Sequence, residues 1–363
     1  MLFCSLVKRM KKLPIFFALF LSLHANAQIG GTSAFTFAQV ENSAKQSGLG
    51  GVSIANTDAD PASGYQNPAL INSSMHHAAS LSYANHVADL NYGFASYGRT
   101  WDSLGSFLFS IGYYDYGTFT RTNTAGDILG EFKAADYTFQ VGYSKNYNNK
   151  ISYGANGKFL YSVYEAYVST AGAIDLGAAY TDTARLLNAG VLIKNMGYQF
   201  IRYDDNSPRE PLPFDVQASI SKKLAHNPLR FTLTLHNLHR WNNSYVNVNS
   251  RNKEIDLETG TVKNQKLGFG EKVMRHMVFN TELVFSDNFQ IRTGYNHQRR
   301  AELGPENRRA MTGFSWGVNI GIKKFKIGYA SAGYFPGIAS NYFSVSRNLS
   351  SLKKKHTEIR SSL

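Results

Sequence analysis

The sequence predicts an all-β protein, a transmembrane antiparallel β-barrel of about 14 strands closed at one end by an N-terminal plug. Three observations carry this. Apolar and polar residues alternate with period two along most of the chain. The connections between the alternating segments are alternately short and long. Beyond the leader, no run approaches the 18 consecutive apolar residues of a membrane-spanning helix.

The chain opens on a leader. Lys8, Arg9, Lys11 and Lys12 precede an apolar run from Leu13 to Leu23, and Ala25-Asn26-Ala27 is a small-residue cleavage site, so residues 1–27 read as a signal peptide. Met10 serves equally well as the start. Cys4, the only cysteine, falls within the leader, which leaves an exported chain without disulfides. The leader holds four basic and no acidic residues, so the formal charge of +13 falls to +9 once it is removed. Such an excess suits an anionic lipid or lipopolysaccharide surface, or solvated loops. Nothing in it points to nucleic acid.

Residues 28–77 carry turn formers and small residues with little alternation, too many for a simple leader to the first strand. Within them, "SGLGGVSIANTDADPASGYQNPALI" (Ser47 to Ile71) resembles ligand chemistry at first sight. However, Gly48 to Gly51 lack the Lys-Ser/Thr pair of a phosphate loop. Asp58 and Asp60 have the spacing of a calcium loop without its further acidic ligands, and Pro61 follows at once. No metal or other cofactor is expected. The structural reading is a plug folded into or across the barrel mouth, with Asn67 and Pro68 forming a turn before the wall begins.

The barrel is expected over 78–348. In "ISYGANGKFLYSV" the residues Ile151, Tyr153, Phe159, Tyr161 and Val163 alternate with Ser152, Asn156, Lys158 and Ser162. Comparable alternation runs through Phe214 to Ser221, Leu229 to His236 and Phe314 to Lys323. Strands are expected near 78–86, 89–101, 104–118, 131–146, 150–164, 170–181 and 187–199. Seven more follow near 213–223, 228–240, 273–286, 289–298, 311–322, 324–333 and 340–348. The even-numbered connections are short, whereas long ones fall near 119–130, 200–212, 241–272 and 299–310. Even parity places both ends on the short-turn rim, expected to be periplasmic, with the long loops outside the cell. With 22 tyrosines and 24 phenylalanines, many near strand ends, the chain has material for aromatic girdles. A soluble all-β protein is the rival, and it gives the loop asymmetry no reason. Residues 349–363 form a basic tail without strand patterning.

Catalysis finds little footing. His76 and His77 precede the first strand without evident metal partners, and His236 and His239 near Trp241 lack a placed serine or a paired carboxylate. The chain reads as a non-enzyme. Two polar loops are candidates for partner contact: Tyr203, Asp204, Asp205 and Arg209 in "YDDNSPREPLP", and Arg299, Arg300, Arg308 and Arg309 in "HQRRAELGPENRRA". Guanidinium pairs suit phosphate or carboxylate groups, or solvent.

"QNPAL", following a glycine-rich and aspartate-containing run, resembles the plug signature of FadL-like outer-membrane barrels, with Asn67, Pro68, Ala69 and Leu70 as its plug residues. Longer stretches, among them "QIGGTSAFTF", "LSYANHVADLNYGFASYG", "YDYGTFTRTNTAGDILGEFKAADY", "RTGYNHQRR" and "MTGFSWG", are similar to the PorQ-type proteins of the type IX secretion system. The resemblance implies a non-enzymatic outer-membrane barrel of Bacteroidota. It would anchor a cargo attachment complex with a PorZ-like surface protein, a PorU-like sortase and a PorV-like barrel, which joins secreted proteins to lipopolysaccharide. The long loop near 241–272 and the tail at Lys353 to Lys355 depart most from the family pattern. Passive transport of hydrophobic compounds is the other function the superfamily implies.

Overall fold

A computed structural model describes residues 33–58, 60–86, 90–241, 243, 254–255, 262–263, 268–304 and 310–350. The expected signal peptide, nearly all of the basic tail, Arg308, Arg309 and most of the 241–272 loop lie outside these residues.

Strand formation follows the period-two pattern. The wall comprises β1 (Ala78–Asn85), β2 (Asn91–Trp101), β3 (Gly105–Thr122), β4 (Ile128–Asn146), β5 (Ile151–Tyr164), β6 (Tyr167–Asp182), β7 (Leu187–Ile201), β8 (Asp215–Lys223) and β9 (Leu229–Leu235). Two short strands, β10 (Glu254–Ile255) and β11 (Val262–Lys263), pair only with each other. The wall resumes with β12 (Met277–Ser286), β13 (Phe289–Asn296), β14 (Phe314–Ile322), β15 (Phe325–Phe335) and β16 (Ile338–Asn348). Each wall strand pairs with its neighbours, β12 pairs with β9, and β1 closes against β16 from Ala78↔Asn348 to Asn85↔Asn341. The result is a closed antiparallel barrel of fourteen strands.

The barrel is apolar outside and polar inside. Leu81 is 63% exposed, Val141 50% and Ile220 50%, whereas Asp136, Asn156, Asp175 and Glu282, on the opposite parity, are fully buried. A soluble sandwich hides its apolar face, whereas a membrane barrel turns that face to lipid. The fold therefore fits an outer-membrane location. Aromatic ladders mark both heights of the wall: Trp101, Phe107 and Tyr143 near one rim, and Tyr113, Tyr137 and Tyr161 nearer the other. No helix among the described residues is long and apolar enough to cross a membrane.

One expectation is corrected here. The segment near 119–130 is not a long loop. β3 and β4 continue through it, pairing Phe119 with Phe132 and Thr122 with Ile128, and close on a tight turn at 123–127. Asn123 makes that turn, its side-chain oxygen accepting from the Ala125 and Asp127 amides at 2.9 Å each, while Gly126 takes φ +92°. The neighbouring strands stop lower, since β2 begins opposite Asp115 and β5 ends opposite Ala134. The hairpin tip therefore projects beyond the wall. The long connections on that rim are 202–214, 236–276 and 297–313, and the connections at 165–166 and 336–337 are two-residue turns. Both ends of the wall, Ala78 and Asn348, lie on the opposite rim.

Candidate functional site

Residues 33–77 lie against the inward face of the wall. Ala34 donates its amide to the Pro211 carbonyl at 3.1 Å, and Phe35 stacks on Tyr203, so this end is at the long-loop rim. Met75 packs against Gly98 near the short-turn rim, where the chain passes into β1. Between these points, two short helices give the segment its shape. α1 (Ala44–Gly48) is capped by Ser43, which accepts from the Gln46 amide. α2 (Pro61–Gln66) is capped by Asp60, which accepts from the Ala62 amide, and Pro61 occupies its first turn. Asp60 is thus a cap, while Asp58 forms ion pairs with Lys45 and Arg230 at 3.1 Å each. The pair of aspartates that suggested a calcium loop serves two separate purposes.

The "NPAL" stretch is a single 3-10 turn, Pro68–Leu70. The Asn67 side chain holds it twice, accepting from the Ala69 amide at 3.0 Å and donating to the Ile54 carbonyl at 2.8 Å, with no exposure. The wall makes room with glycine. A Cβ at Gly154 on β5 would stand 2.8 Å from the Pro68 carbonyl oxygen, and one at Gly190 on β7 would stand 2.6 Å from the Ile54 carbonyl oxygen. A Cβ at Gly177 on β6 would overlap the Asn67 side-chain oxygen. These three wall glycines are not among the residues the sequence points to; their signal is a glycine at an inward position on each of three consecutive strands.

Charge ties segment and wall together at three levels. Near the short-turn rim, Arg230 bridges Asp58 and Glu282 (3.1 and 3.3 Å), and Asn56 donates to Glu282 at 3.0 Å. Burial pushes the Asp58 carboxyl up, but Lys45 and Arg230 outweigh it and hold the group far below the ordinary carboxylate range. Midway, Lys194 of the wall donates to the Gln66 side chain of the segment at 2.8 Å, near the buried wall pair of Lys158 and Asp175 (2.7 Å). Toward the long-loop rim, Glu41 meets Arg299, and the hydroxyls of Tyr334 and Tyr342 donate to the same carboxylate at 2.8 and 3.1 Å. Burial again raises the Glu41 carboxyl, and the Arg299 charge with the Tyr334 hydroxyl brings it below its ordinary value. An apolar cluster of Phe37, Tyr65, Phe94, Leu108, Tyr114 and Leu160 fills the space beside these contacts.

The loop residues singled out by sequence divide in two. Arg299, on α4 (His297–Leu303), which follows α3 (Phe269–Met274), turns inward to Glu41 with its guanidinium 4.3 Å from the centre of the Tyr334 ring. Tyr203 turns inward as well and donates to the Ser162 hydroxyl at 2.6 Å. Arg300 spends its guanidinium on the Ala310 and Thr312 carbonyls of its own loop. Asp204, Asp205 and Arg209 are exposed, with Arg209 lying 5.1 Å from the centre of the Tyr198 ring.

The histidines take packing positions. The His77 ring lies 2.6 Å from the Tyr97 hydroxyl and accepts the Arg99 guanidinium, and His76 accepts from the Thr100 amide at 3.1 Å. Burial, with His276 and Arg299 nearby, pushes the His236 imidazole down to about 3, and burial with Arg240 pushes His239 down to about 4, so both are neutral. The serine–histidine contact of Ser340 with His86 joins a fully buried hydroxyl to a ring beside Tyr334. Among the described residues, no group of three or more His, Cys, Asp or Glu is placed to hold a metal ion.

No family model and no curated protein matches the chain. Solved structures do. The toluene transporter TbuX of Ralstonia pickettii matches at 11% identity over 87% of this chain and 100% of its own, with a TM-score of 0.49. A FadL homologue of Pseudomonas aeruginosa matches at 10% identity over 88% and 100%, with a TM-score of 0.47. The monoaromatic hydrocarbon channel TodX, as its deltaS2 mutant, matches at 10% identity over 85% and 97%, with a TM-score of 0.45. These neighbours are FadL-like outer-membrane barrels. The architecture assigned to this chain rests on its own strand order and on the inverted polarity of its wall.

Proposed function

We propose that residues 33–77 are a plug and that the protein is a non-enzymatic outer-membrane anchor, presenting its long-loop rim to partner proteins and conducting nothing through its bore. The observation that supports this is the way the segment is bound. Ion pairs and hydrogen bonds reach it from strands on all sides of a polar lumen, and its turns fit glycine gaps in the wall. A lumen of this kind costs several unmatched charges to open.

Combined with the sequence resemblance, the reading extends to a PorQ-type role: a cargo attachment complex containing PorZ-like, PorU-like and PorV-like proteins, with the wall's ends in the periplasm. The exposed Asp204, Asp205 and Arg209 and the projecting β3–β4 hairpin are the surfaces offered to those partners. Co-purification tests it. A tagged chain drawn from native outer membranes that brings down neither PorZ-like nor PorU-like protein would end the attachment reading.

A second reading is passive passage of hydrophobic compounds; the neighbouring TbuX is a toluene transporter and TodX a monoaromatic hydrocarbon channel. The feature of this chain that favours it is the apolar cluster around Phe37, Tyr65 and Tyr114 inside the barrel. Saturable uptake of toluene by vesicles carrying the purified chain, lost on substitution of Phe37, would establish it over the anchor.

A further inference from the structure

We propose that the outer wall carries a site for one anionic phospholipid, with an acyl chain in a groove across β6 to β9 and its phosphate at Arg185 and Lys222 on the short-turn rim. The proposal rests on the reading that the apolar wall faces lipid.

The groove follows from side-chain size at outward positions. Register aligns two outward rows: Ile151, Tyr180, Ala189, Ile220 and Leu233 in one, and Tyr153, Ala178, Val191, Ala218 and Leu235 in the next. Most outward positions of this barrel hold large side chains. Here Ala178, Ala189 and Ala218 drop the surface while Tyr180, Val191 and Ile220 stand beside them, leaving a depression of about 390 Å³. That volume is in the range of sites that bind small molecules, and its walls are hydrocarbon.

Charge selects the occupant. One outward step rimward of Ile220 stands Lys222, in register with Leu187 and Phe231. Its ammonium donates to the backbone carbonyl of Arg185 in the β6–β7 turn, which fixes Lys222 at the turn that carries Arg185 and leaves two ammonium N–H groups free. Neither side chain pairs with a carboxylate among the described residues. The nearby Asp182 is occupied by Lys150 at 3.0 Å and by the Tyr180 hydroxyl at 3.1 Å. Lys150 is thereby matched, whereas the outward Lys222 and the turn residue Arg185 are not.

Height agrees with this placement. Tyr147, 76% exposed in the β4–β5 turn, belongs to the aromatic belt of this rim. Cations just beyond such a belt lie at the level of lipid phosphates, and a groove opening below them lies at acyl depth. An uncharged lipid would fill the groove and leave both cations unmatched, and in a zwitterionic lipid the headgroup's own cation would compete with them for the phosphate.

The test uses the full chain in detergent, titrated with phosphatidylglycerol or with phosphatidylethanolamine of the same acyl chains and read by native mass spectrometry. The expected result is one retained phosphatidylglycerol per chain. Each Lys or Arg near a lipid surface is worth about fivefold in affinity, so the double variant Arg185→Glu/Lys222→Glu lowers it at least tenfold. Ala189→Trp, which fills the groove and leaves the charge intact, lowers it comparably. Lys323→Glu/Lys324→Glu/Lys326→Glu, at the exposed β14–β15 turn of the same rim and the start of β15, leaves it unchanged. Equal retention of the two lipids, an equal loss in the triple variant, or no effect of Ala189→Trp overturns the site. A chain that does not enter lipid vesicles in its heat-modifiable folded form overturns the membrane reading instead, so the two failures are separable.

Discussion

Replacing Asn67 by alanine removes one buried side chain that does two things. Its oxygen caps the Pro68–Leu70 turn through the Ala69 amide, and its amide group satisfies the Ile54 carbonyl. Loss of an asparagine cap costs about 1 kcal/mol, and a buried carbonyl left without a donor costs about 1–3 kcal/mol. The sum, about 2–4 kcal/mol, raises the population of the released segment by roughly 30- to 700-fold, since each 1.4 kcal/mol is tenfold. Hydrogen exchange reads this directly. In the native chain the Ala69 and Leu70 amides should be among the slowest of residues 33–77, and in Asn67→Ala they should exchange faster by that factor while amides in β12 and β13 keep their rates. Asn67→Asp keeps the cap and loses the donor, so it should fall between the two. Unchanged protection of Ala69 and Leu70 in Asn67→Ala would show that the turn does not anchor the segment.

Gly177→Val, whose Cβ would overlap Asn67, should expel the turn from its seat and expose the segment to protease without unfolding the wall, as followed by heat-modifiable gel migration. Glu41→Gln leaves Arg299 buried without its carboxylate, at a cost of about 3–5 kcal/mol, and should free α4, visible as proteolysis near His297 to Leu303. Because Glu41 and Asp58 both lie below their ordinary values in the folded chain, their stabilisation is complete above about pH 5 and is lost progressively as pH falls from there through the lower folded values. Protection of the segment should therefore be flat from pH 7 to pH 5, and a decline already at pH 6 would contradict the assignment. Ile111→Arg, outward on β3, should cost about 2–4 kcal/mol of folding into bilayers, whereas arginine at the exposed Thr120 of the hairpin should cost little.

The wall was legible because a membrane barrel writes its two faces into alternate residues. The apolar sets chosen from "ISYGANGKFLYSV" and from Phe314 to Ile322 are the outward ones in the structure. The hairpin tip escaped because the same alternation persists through "GTFTRT" and "ILGEFK" beyond the wall, where exposure on both faces gives composition no reason to mark it as strand. The turn at Asn67 was legible as well, since proline after asparagine specifies a capped turn on its own. Its seat was not, because Gly154, Gly177 and Gly190 come together only once β5, β6 and β7 are in register. Arg299 shows the same limit. Sequence offers it as half of an Arg-Arg pair in a polar loop, and the partner that turns it inward, Glu41, lies 258 residues away.

The segment's path has a consequence for assembly. It runs the length of the bore, from Pro211 at one mouth to Gly98 at the other, and leads directly into β1, one side of the seam. The other side is β16, the final strand of the wall, so the cylinder is open along its side until β16 pairs with β1. A segment that meets wall strands on every side enters more readily through that slit than by threading a finished tube. A disulfide engineered across β1 and β16, formed before refolding, should accordingly slow acquisition of the protected segment, and the same cross-link between β7 and β8 should not.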